Sequence, residues 1–427
     1  MKRHFISLIV LIPFVYFLTE SKPAAVKPYI DTQPSPTFLF ISDIHLDSAE
    51  TTTQIKPGND TGEDLWKSFL AKADAVLSSA NAPDFIIYTG DLPAHYSWSG
   101  SAYLPPDQRQ AHNSNIHMIL DGLRQLATKF KKPFFYLPGN NDGLAGDYYS
   151  FADAQNQTPF SLVPNSANPF PALNINSGNK TPCIVSNPDS LKGYYSARPV
   201  DGLRLIALNT VMFSHEFRTD DHTSIASDRA EQLQWLGSQL ADAAAKGEKI
   251  YIAMHVPPGV DAYGSRHGST AMMWDTTGNN MLLKSFLRLV NQYQAIITGI
   301  LYGHTHMDEV RRLYDSTGTK ITEAAISCPG VTPSNGNYPG FKIVQYDANS
   351  KELMDFTTFY TNTGSSPWGN SSYTFHDTYK SPVGTSIFQQ LSTLQAAEVA
   401  RRMKPVYQVT KKGNYSYFSL GIEVKWP

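Results

Sequence analysis

Phe38-Leu39-Phe40-Ile41-Ser42-Asp43-Ile44-His45 decides how the rest of this 427-residue chain is read. Its apolar half predicts a buried strand. Its polar half sets an Asp and a His one residue apart at the strand end, where alternate residues of an extended chain point to one side. One strand end thereby offers two metal ligands. The same arrangement, an apolar run closed at once by Asp, Asn or His, recurs down the chain. Phe85-Ile86-Ile87-Tyr88 runs into Thr89-Gly90-Asp91, and residues 133–137 run into Pro138-Gly139-Asn140-Asn141-Asp142. Residues 250–254 lead to His255-Val256-Pro257-Pro258-Gly259, and residues 295–302 lead to Gly303-His304-Thr305-His306.

Helical periodicity fills the intervals. Leu65, Trp66, Phe69, Leu70, Ala73, Val76 and Leu77 recur at i, i+3, i+4, i+7 spacing after a polar loop at 57–62. A second amphipathic stretch lies around 116–130. A third runs from Asp228, read as an N-cap with Glu231 three residues on, to 246. Strand and helix in alternation predict a largely parallel sheet covered by helices, and ligands gather at the carboxyl ends of such strands. Residues 203–208 predict a further strand. Residues 150–187, dense in Asn, Pro and Ser, predict an irregular substrate-side excursion. From about residue 310 the texture changes to short strand-like runs at 310–314, 322–326, 341–346 and 353–360, which predict a second sheet packed on the first. The tail reads as one helix, 386–403, and an extended run, 415–426.

A net charge of -2 with 17% charged residues carries no basic signature, so no nucleic-acid-binding patch is expected. Residues 1–21 read as an export signal: Lys2 and Arg3 precede an apolar segment at 5–18, and Thr19 and Ser21 form a small-x-small cleavage site. The alternative is an uncleaved anchor. Residues 22–36 read as a linker, and no later run approaches spanning length. The expectation is a secreted or periplasmic protein without a transmembrane segment after signal removal. Cys183 and Cys328 either pair or stay as two buried thiols. His112, His215, His222 and His267 read as loop histidines, with His215 and His267 the two that could face a substrate.

Asp43, His45, Asp91, Asn140, His255, His304 and His306 each stand just beyond an apolar run. Imidazoles, carboxylates and an amide oxygen are donors for borderline divalent ions such as Zn, Mn or Fe. The set is too large for one tetrahedral ion and suits two ions sharing a carboxylate, an arrangement that serves phosphoryl transfer. Each piece alone has an ordinary explanation. Gly139-Asn140-Asn141-Asp142 makes a good turn, and a single buried His is commonly a core residue. The ordered set is the specific feature.

That order resembles the calcineurin-like metallophosphoesterases, whose pattern is Asp-x-His, Gly-Asp, Gly-Asn-His-Asp/Glu, His and Gly-His-x-His. Gly90-Asp91-Leu92-Pro93-Ala94-His95, the His255 to Gly259 stretch, Asn337-Tyr338-Pro339-Gly340-Phe341 and Thr357-Thr358-Phe359-Tyr360-Thr361-Asn362 are similar to its acid sphingomyelinase-like phosphodiesterase branch. The resemblance covers 37–380 as one catalytic domain and leaves 381–427 as an extension. It implies an α/β fold, a four-layer α/β/β/α sandwich of two mixed sheets flanked by helices. It also implies that Asp43, His45 and His306 hold one ion, that Asn140, His255 and His304 hold the other, and that Asp91 bridges them. A water shared by two dications ionises near neutral pH and can attack phosphorus in line. His95 matches the histidine that protonates the leaving group in the branch.

Two departures bear on the reaction. Asn141 stands where the family has His, and an amide does not titrate near neutral pH. Either His95 supplies the proton alone or the leaving group needs little help, as in a phosphoanhydride; Asn here also resembles the endopolyphosphatases. In addition, only a short linker precedes the first strand, where acid sphingomyelinase has a lipid-handling saposin domain. The expected substrates are therefore small, soluble phosphodiesters or anhydrides, nucleotide-like ahead of sphingomyelin. A phosphomonoesterase and an inactive metal-binding interaction protein are the alternatives.

Overall fold

A computed structural model describes residues 35–51, 55–56, 58–95, 104–162, 172–173, 183–219, 225–263, 271–361, 368, 371–411 and 417–427. The export signal at 1–21, the linker through residue 34, and His222 and His267 lie outside the described residues, as does much of the 150–187 excursion.

Strand β1 (Thr37–Ile41) has Phe38, Leu39 and Phe40 fully buried, as a strand covered on both faces should be. β2 (Leu46–Asp47) and β3 (Thr61–Gly62) form a short parallel pair that leads into α1 (Glu63–Leu77). Glu63 and Asp64 at its first turn complement the helix dipole. The buried face carries Leu65, Trp66, Phe69, Ala73 and Leu77. β4 (Phe85–Tyr88), α2 (Pro106–Phe130) and β5 (Phe134–Tyr136) follow, and β1, β4 and β5 pair in parallel. α2 begins at Pro106, well before the expected start near 116, because proline suits the first helical position. His112 therefore lies buried on a helix and not in a polar loop.

After β6 (Ala172–Leu173) the chain crosses to a second sheet: β7 (Ile184–Ser186), β8 (Tyr195–Val200), β9 (Leu203–Ala207), α3 (Ile225–Ala245), β10 (Lys249–Ala253), α4 (Thr277–Gln292), β11 (Ile297–Tyr302), β12 (Val310–Tyr314) and β13 (Ile321–Ser327). β14 (Gly340–Tyr346), β15 (Leu353–Tyr360) and β16 (Ser371–Thr374) then return to the first sheet beside β1. Helices α5 (Phe375–Tyr379), α6 (Ile387–Thr393) and α7 (Ala396–Met403) precede the last strand, β17 (Glu423–Val424). The sheet orders are β16-β15-β14-β1-β4-β5-β6 and β17-β12-β13-β11-β10-β9-β8-β7, and both sheets are mixed.

Strand alternation sorts the layers. In β10, Tyr251 and Ala253 join the core shared with Phe38 and Phe85 of the first sheet, while Ile250 and Ile252 join Leu236 and Leu240 of α3 and Phe286 and Leu287 of α4. The Phe38 and Tyr251 rings meet across the sheets, 5.8 Å between centroids. The result is the four-layer sandwich of two mixed sheets flanked by helices.

The division between the sheets differs from the one expected: the runs at 341–346 and 353–360 pair beside β1 in the first sheet, and those at 203–208, 250–254 and 295–302 belong to the second, because the chain crosses over before β7 and returns at β14. Local expectations change as well. α3 starts at Ile225, so Asp228 sits in its first turn instead of capping it, and Glu231 accepts a bond from Lys192 Nζ at 2.7 Å. The tail helix is two helices separated at Leu394, whose backbone is extended (ψ 143°). α4 was not anticipated. Both cysteines are buried thiols, the second of the two alternatives, and Cys328 Sγ lies 3.1 Å from the Phe40 carbonyl. Among the described residues no helix is long and apolar enough to cross a membrane.

Candidate metal centre

The strand-end residues converge at one place, between the carboxyl ends of β1, β4 and β5 and those of β10 and β11. Asp43, His45, Asp91 and His306 place one donor atom each within 4.8 Å of one another, and so do Asp91, His255 and His304. Asp91 Oδ2 stands 3.1 Å from His45 Nε2 and 3.2 Å from His255 Nε2, and so belongs to both groups. On one side of it, His306 Nε2 lies 3.2 Å from His45 Nε2 and 3.4 Å from Asp43 Oδ1. On the other, Asn140 Oδ1 lies 3.0 Å from His255 Nε2 and 2.9 Å from His304 Nδ1.

The outer hydrogen bonds aim these donors. His45 Nδ1–H donates to the Pro93 carbonyl at 3.0 Å and His255 Nδ1–H to the Thr89 carbonyl at 2.6 Å, which turns both Nε2 lone pairs inward. His306 Nδ1 meets Ser334 Oγ at 3.1 Å. The His304 backbone N–H donates to both Asp43 oxygens, at 3.1 and 3.0 Å. Two imidazole Nε2 atoms facing each other beside a carboxylate are a donor set that fits a cation, and the Asp91-centred pair of groups fits two.

The backbone takes a common form at the ligands. Asp43 (φ 48°), His45 (44°), Asp91 (63°), His304 (72°) and His306 (61°) are all left-handed. Such a residue costs about 1 kcal/mol or more and survives where surrounding structure over-determines it. Here close backbone approach does so. A Cβ on Gly139 would fall 2.2 Å from Asp91 Oδ1, and one on Gly303 would fall 2.0 Å from Ser42 Oγ and 2.9 Å from Asp43 Oδ2.

By the protein's own charges alone, burial disfavours ionised Asp91, yet His255 and His45 outweigh it and hold the carboxyl well below its ordinary range. Burial likewise pulls His45 and His255 down, and Asp91 lifts each to about 9. Burial and the charge of His255 lower His304 to about 3.

Asp142, which was not singled out from sequence, is fully buried behind the centre. Its Oδ2 accepts from Asp91 N–H at 3.1 Å, Gly139 N–H at 2.7 Å and Tyr136 O–H at 2.7 Å, and its Oδ1 accepts from Leu92 N–H at 2.6 Å. One carboxylate thus pins the Asp91 loop to the Asn140 loop. Asn141 lies inside this arrangement, its N–H donating to Asp91 Oδ1 at 2.8 Å and its amide to Asp91 Oδ2 at 3.2 Å. His112 Nε2–H in turn donates to the Asn141 carbonyl at 3.0 Å.

A cleft of about 240 Å³ opens over the centre, lined by Asp91, His95, Asn140, His304 and His306 and, beyond them, Asp147, Tyr148, Asp261, Tyr263, Met273, Thr305 and Asn335. Its described lining contains no Lys or Arg. His95 is half exposed at the rim and stacks on His45, with centroids 3.8 Å apart at 15°. His215 is exposed beside Glu216 at 3.7 Å and does not line this cleft.

A four-layer sandwich with Asp and His donors at its strand ends defines a metallophosphoesterase. Residues 36–308 match the family model described as calcineurin-like phosphoesterase, and the chain belongs to that family, whose members use divalent metals. Sphingomyelinase phosphodiesterase C of Dictyostelium discoideum is 30% identical over 320 residues, a match covering 71% of this chain and 63% of that protein. Acid sphingomyelinase-like phosphodiesterase 3b of Mus musculus is 25% identical, over 76% of this chain and 70% of its own. A cyclic GMP-AMP phosphodiesterase of Rattus norvegicus is 26% identical, over 78% and 72%. The chain thus spans less than two thirds of the first of these relatives.

Proposed function

We propose that the chain is an exported hydrolase that cleaves small phosphodiesters, nucleotide-like ahead of sphingomyelin, with two divalent ions of which zinc is the first choice and Mn or Fe the others. The observation that carries this reading is the position of Asp91 Oδ2, 3.1 Å from His45 Nε2 and 3.2 Å from His255 Nε2, shared between two donor groups. Asp43, His45 and His306 would hold one ion, Asn140, His255 and His304 the other, and Asp91 both. When bound, the ions supply positive charge that favours ionised water and offsets charge on the phosphoryl oxygens.

The protein's own residues do the rest. Asp142, Asn141 and the backbone amides around them keep the Asp91 carboxylate in one orientation. His95, on the rim, donates a proton to the departing alkoxide. Asn141 gives its backbone N–H and one side-chain N–H to Asp91 and so supports the centre, and its amide does not titrate, which leaves proton transfer to His95. Tyr148, Tyr263 and Met273 offer apolar and aromatic surface to the group beyond the phosphate. The described lining residues include no Lys or Arg, and Asp261 adds negative charge, while burial raises Asp147 to about 7; a cleft without cationic side chains disfavours a polyanion, which supports a diester over polyphosphate.

The test is turnover of bis-p-nitrophenyl phosphate, p-nitrophenyl phosphate and polyphosphate by protein loaded with Zn or Mn. The diester should lead by at least tenfold. Preference for the monoester or for polyphosphate would replace this reading, and no turnover with both metals bound would make the chain a binding protein. Sequencing the N-terminus of the exported protein checks cleavage after Ser21.

A further inference from the structure

The loop before α1 reaches the rim of the cleft through one carboxylate. Asp60 Oδ1 accepts from His95 Nδ1 at 2.8 Å, and Asp60 Oδ2 accepts from the His95 backbone N–H at 2.7 Å. Each oxygen thus takes one bond from His95, gripping its ring and its main chain together, and Oδ1 also accepts from Thr332 Oγ1 at 3.5 Å. The two partners differ in exposure, the Asp60 side chain retaining 12% and the His95 ring 44%. The anchor is sheltered while the ring it holds faces the cleft.

Asp60 is itself fixed. The next residue, Thr61, donates its N–H to the His45 carbonyl at 3.0 Å and pairs in β3 with β2, and Gly58 N–H donates to the Pro333 carbonyl at 3.0 Å. The His95 ring is then confined on two sides, by the Asp60 carboxylate at Nδ1 and by the stacked His45 ring at 3.8 Å. One of its ring nitrogens lies within 4.8 Å of donor atoms of His45 and His306, so the ring faces the metal centre.

We propose that Asp60 is the positioning residue for His95: it fixes the proton on Nδ1 and aims Nε2–H at the leaving oxygen. The inference rests on the reading of His95 as proton donor. In the step, His95 begins with a proton on each ring nitrogen, the bond from phosphorus to the leaving oxygen breaks, its electron pair stays on that oxygen, and the Nε2 proton moves to it. His95 is left neutral with its remaining proton on Nδ1, still donated to Asp60. An unanchored ring would spend much of its time turned away from the leaving oxygen, a loss felt when the leaving group needs the proton.

The experiment compares wild type, Asp60→Asn, Asp60→Ala, His95→Gln and the Asp60→Asn/His95→Gln double variant in their zinc-loaded forms. The substrates are a dinucleoside monophosphate, which expels an alkoxide, and bis-p-nitrophenyl phosphate, which expels a stable phenolate. Asp60→Asn and Asp60→Ala should lower kcat on the dinucleoside about 10- to 100-fold and on the activated diester less than about 3-fold, and in the double variant the Asp60 change should add nothing. Zinc content should stay at the wild-type value. Nitrogen-15 NMR of labelled histidine should report a His95 Nδ1–H held in a hydrogen bond to a carboxylate in wild type and the loss of that bond in Asp60→Ala. If His95→Gln shows no selective loss, the proton-donor reading fails and takes this inference with it. If His95→Gln is selective but the Asp60 variants lose both substrates equally, or neither, Asp60 does not position His95.

Discussion

Asn141 holds Asp91 by both of the carboxylate's oxygens, its backbone N–H on Oδ1 at 2.8 Å and its side-chain amide on Oδ2 at 3.2 Å. The side-chain bond falls on the same oxygen that faces His45 and His255, so its loss should be felt in metal affinity. Asn141→Ala is expected to weaken zinc binding about tenfold, the lower range for a residue that orients a ligand. Competition against a chelator of known affinity measures this. Unchanged affinity, with only turnover lost, would place Asn141 on the substrate side instead.

Metal loading should expel protons. Asp91 lifts His45 and His255 to about 9 by the protein's own charges, so both carry protons at neutral pH, whereas a ligating imidazole must be neutral. Zinc affinity should therefore rise with pH until about 9. Calorimetry at pH 7.5 in buffers of different ionisation enthalpy should find about one to two protons released. Zero release would contradict the proposed ligand roles of both histidines.

His112 makes a separate acid-sensitive element. Burial lowers its pKa to about 4, against the ordinary 6.5, opposed by bonds to Asn113 and the Asn141 carbonyl. An unfolded chain takes up this proton first as pH falls. Its contribution is thus intact above 6.5 and is lost progressively toward 4, with an upper bound of about 3 kcal/mol. Denaturant midpoints between pH 7 and 4 should fall less steeply for His112→Gln than for wild type. Parallel curves would show that His112 titrates elsewhere.

Gly303→Ala should damage the centre without touching a ligand. The added methyl would meet Ser42 Oγ at 2.0 Å and Asp43 Oδ2 at 2.9 Å, and Ser42 itself donates to that Asp43 oxygen. Asp43 or the His304 turn must move. Zinc content after dialysis should fall by about one ion per chain, since Asp43 serves the group with His45 and His306. Full retention would mean that the Ser42 hydroxyl yields and the ligands do not.

Much of this centre was legible because its donors follow apolar runs whose strand character is plain. Phe38 to Ile41 and Ile250 to Ala253 need only hydrophobic continuity to be recognised, and a His or Asp just beyond has a defined location. Asp60 and Asp142 were not legible in that way. Each is an ordinary polar loop residue whose role depends on which other loop lies beside it, and no periodicity encodes that. His112 was misplaced for a related reason: the first turns of α2, Asp107-Gln108-Arg109-Gln110, carry no apolar stripe, and the helix start is marked by Pro106 alone. By contrast, α4 was missed although the usual rule marks it: Leu283, Phe286, Leu287 and Val290 have the i, i+3, i+4, i+7 spacing, and all four are buried. The cleft lining that sets Asp147 beside Asp261 comes from segments more than a hundred residues apart and needed the fold.

The left-handed backbone at Asp43, His45, Asp91, His304 and His306 also narrows the ways in which this centre could decay. Gly, Asn, Asp and His tolerate that geometry, whereas branched aliphatic residues do not. A lineage drifting away from metal use would replace these donors from a very short alphabet, moving toward Asn or Gly and not toward Val or Ile. Its ancestry would then remain readable in the residues that fill those five places long after the chemistry had gone.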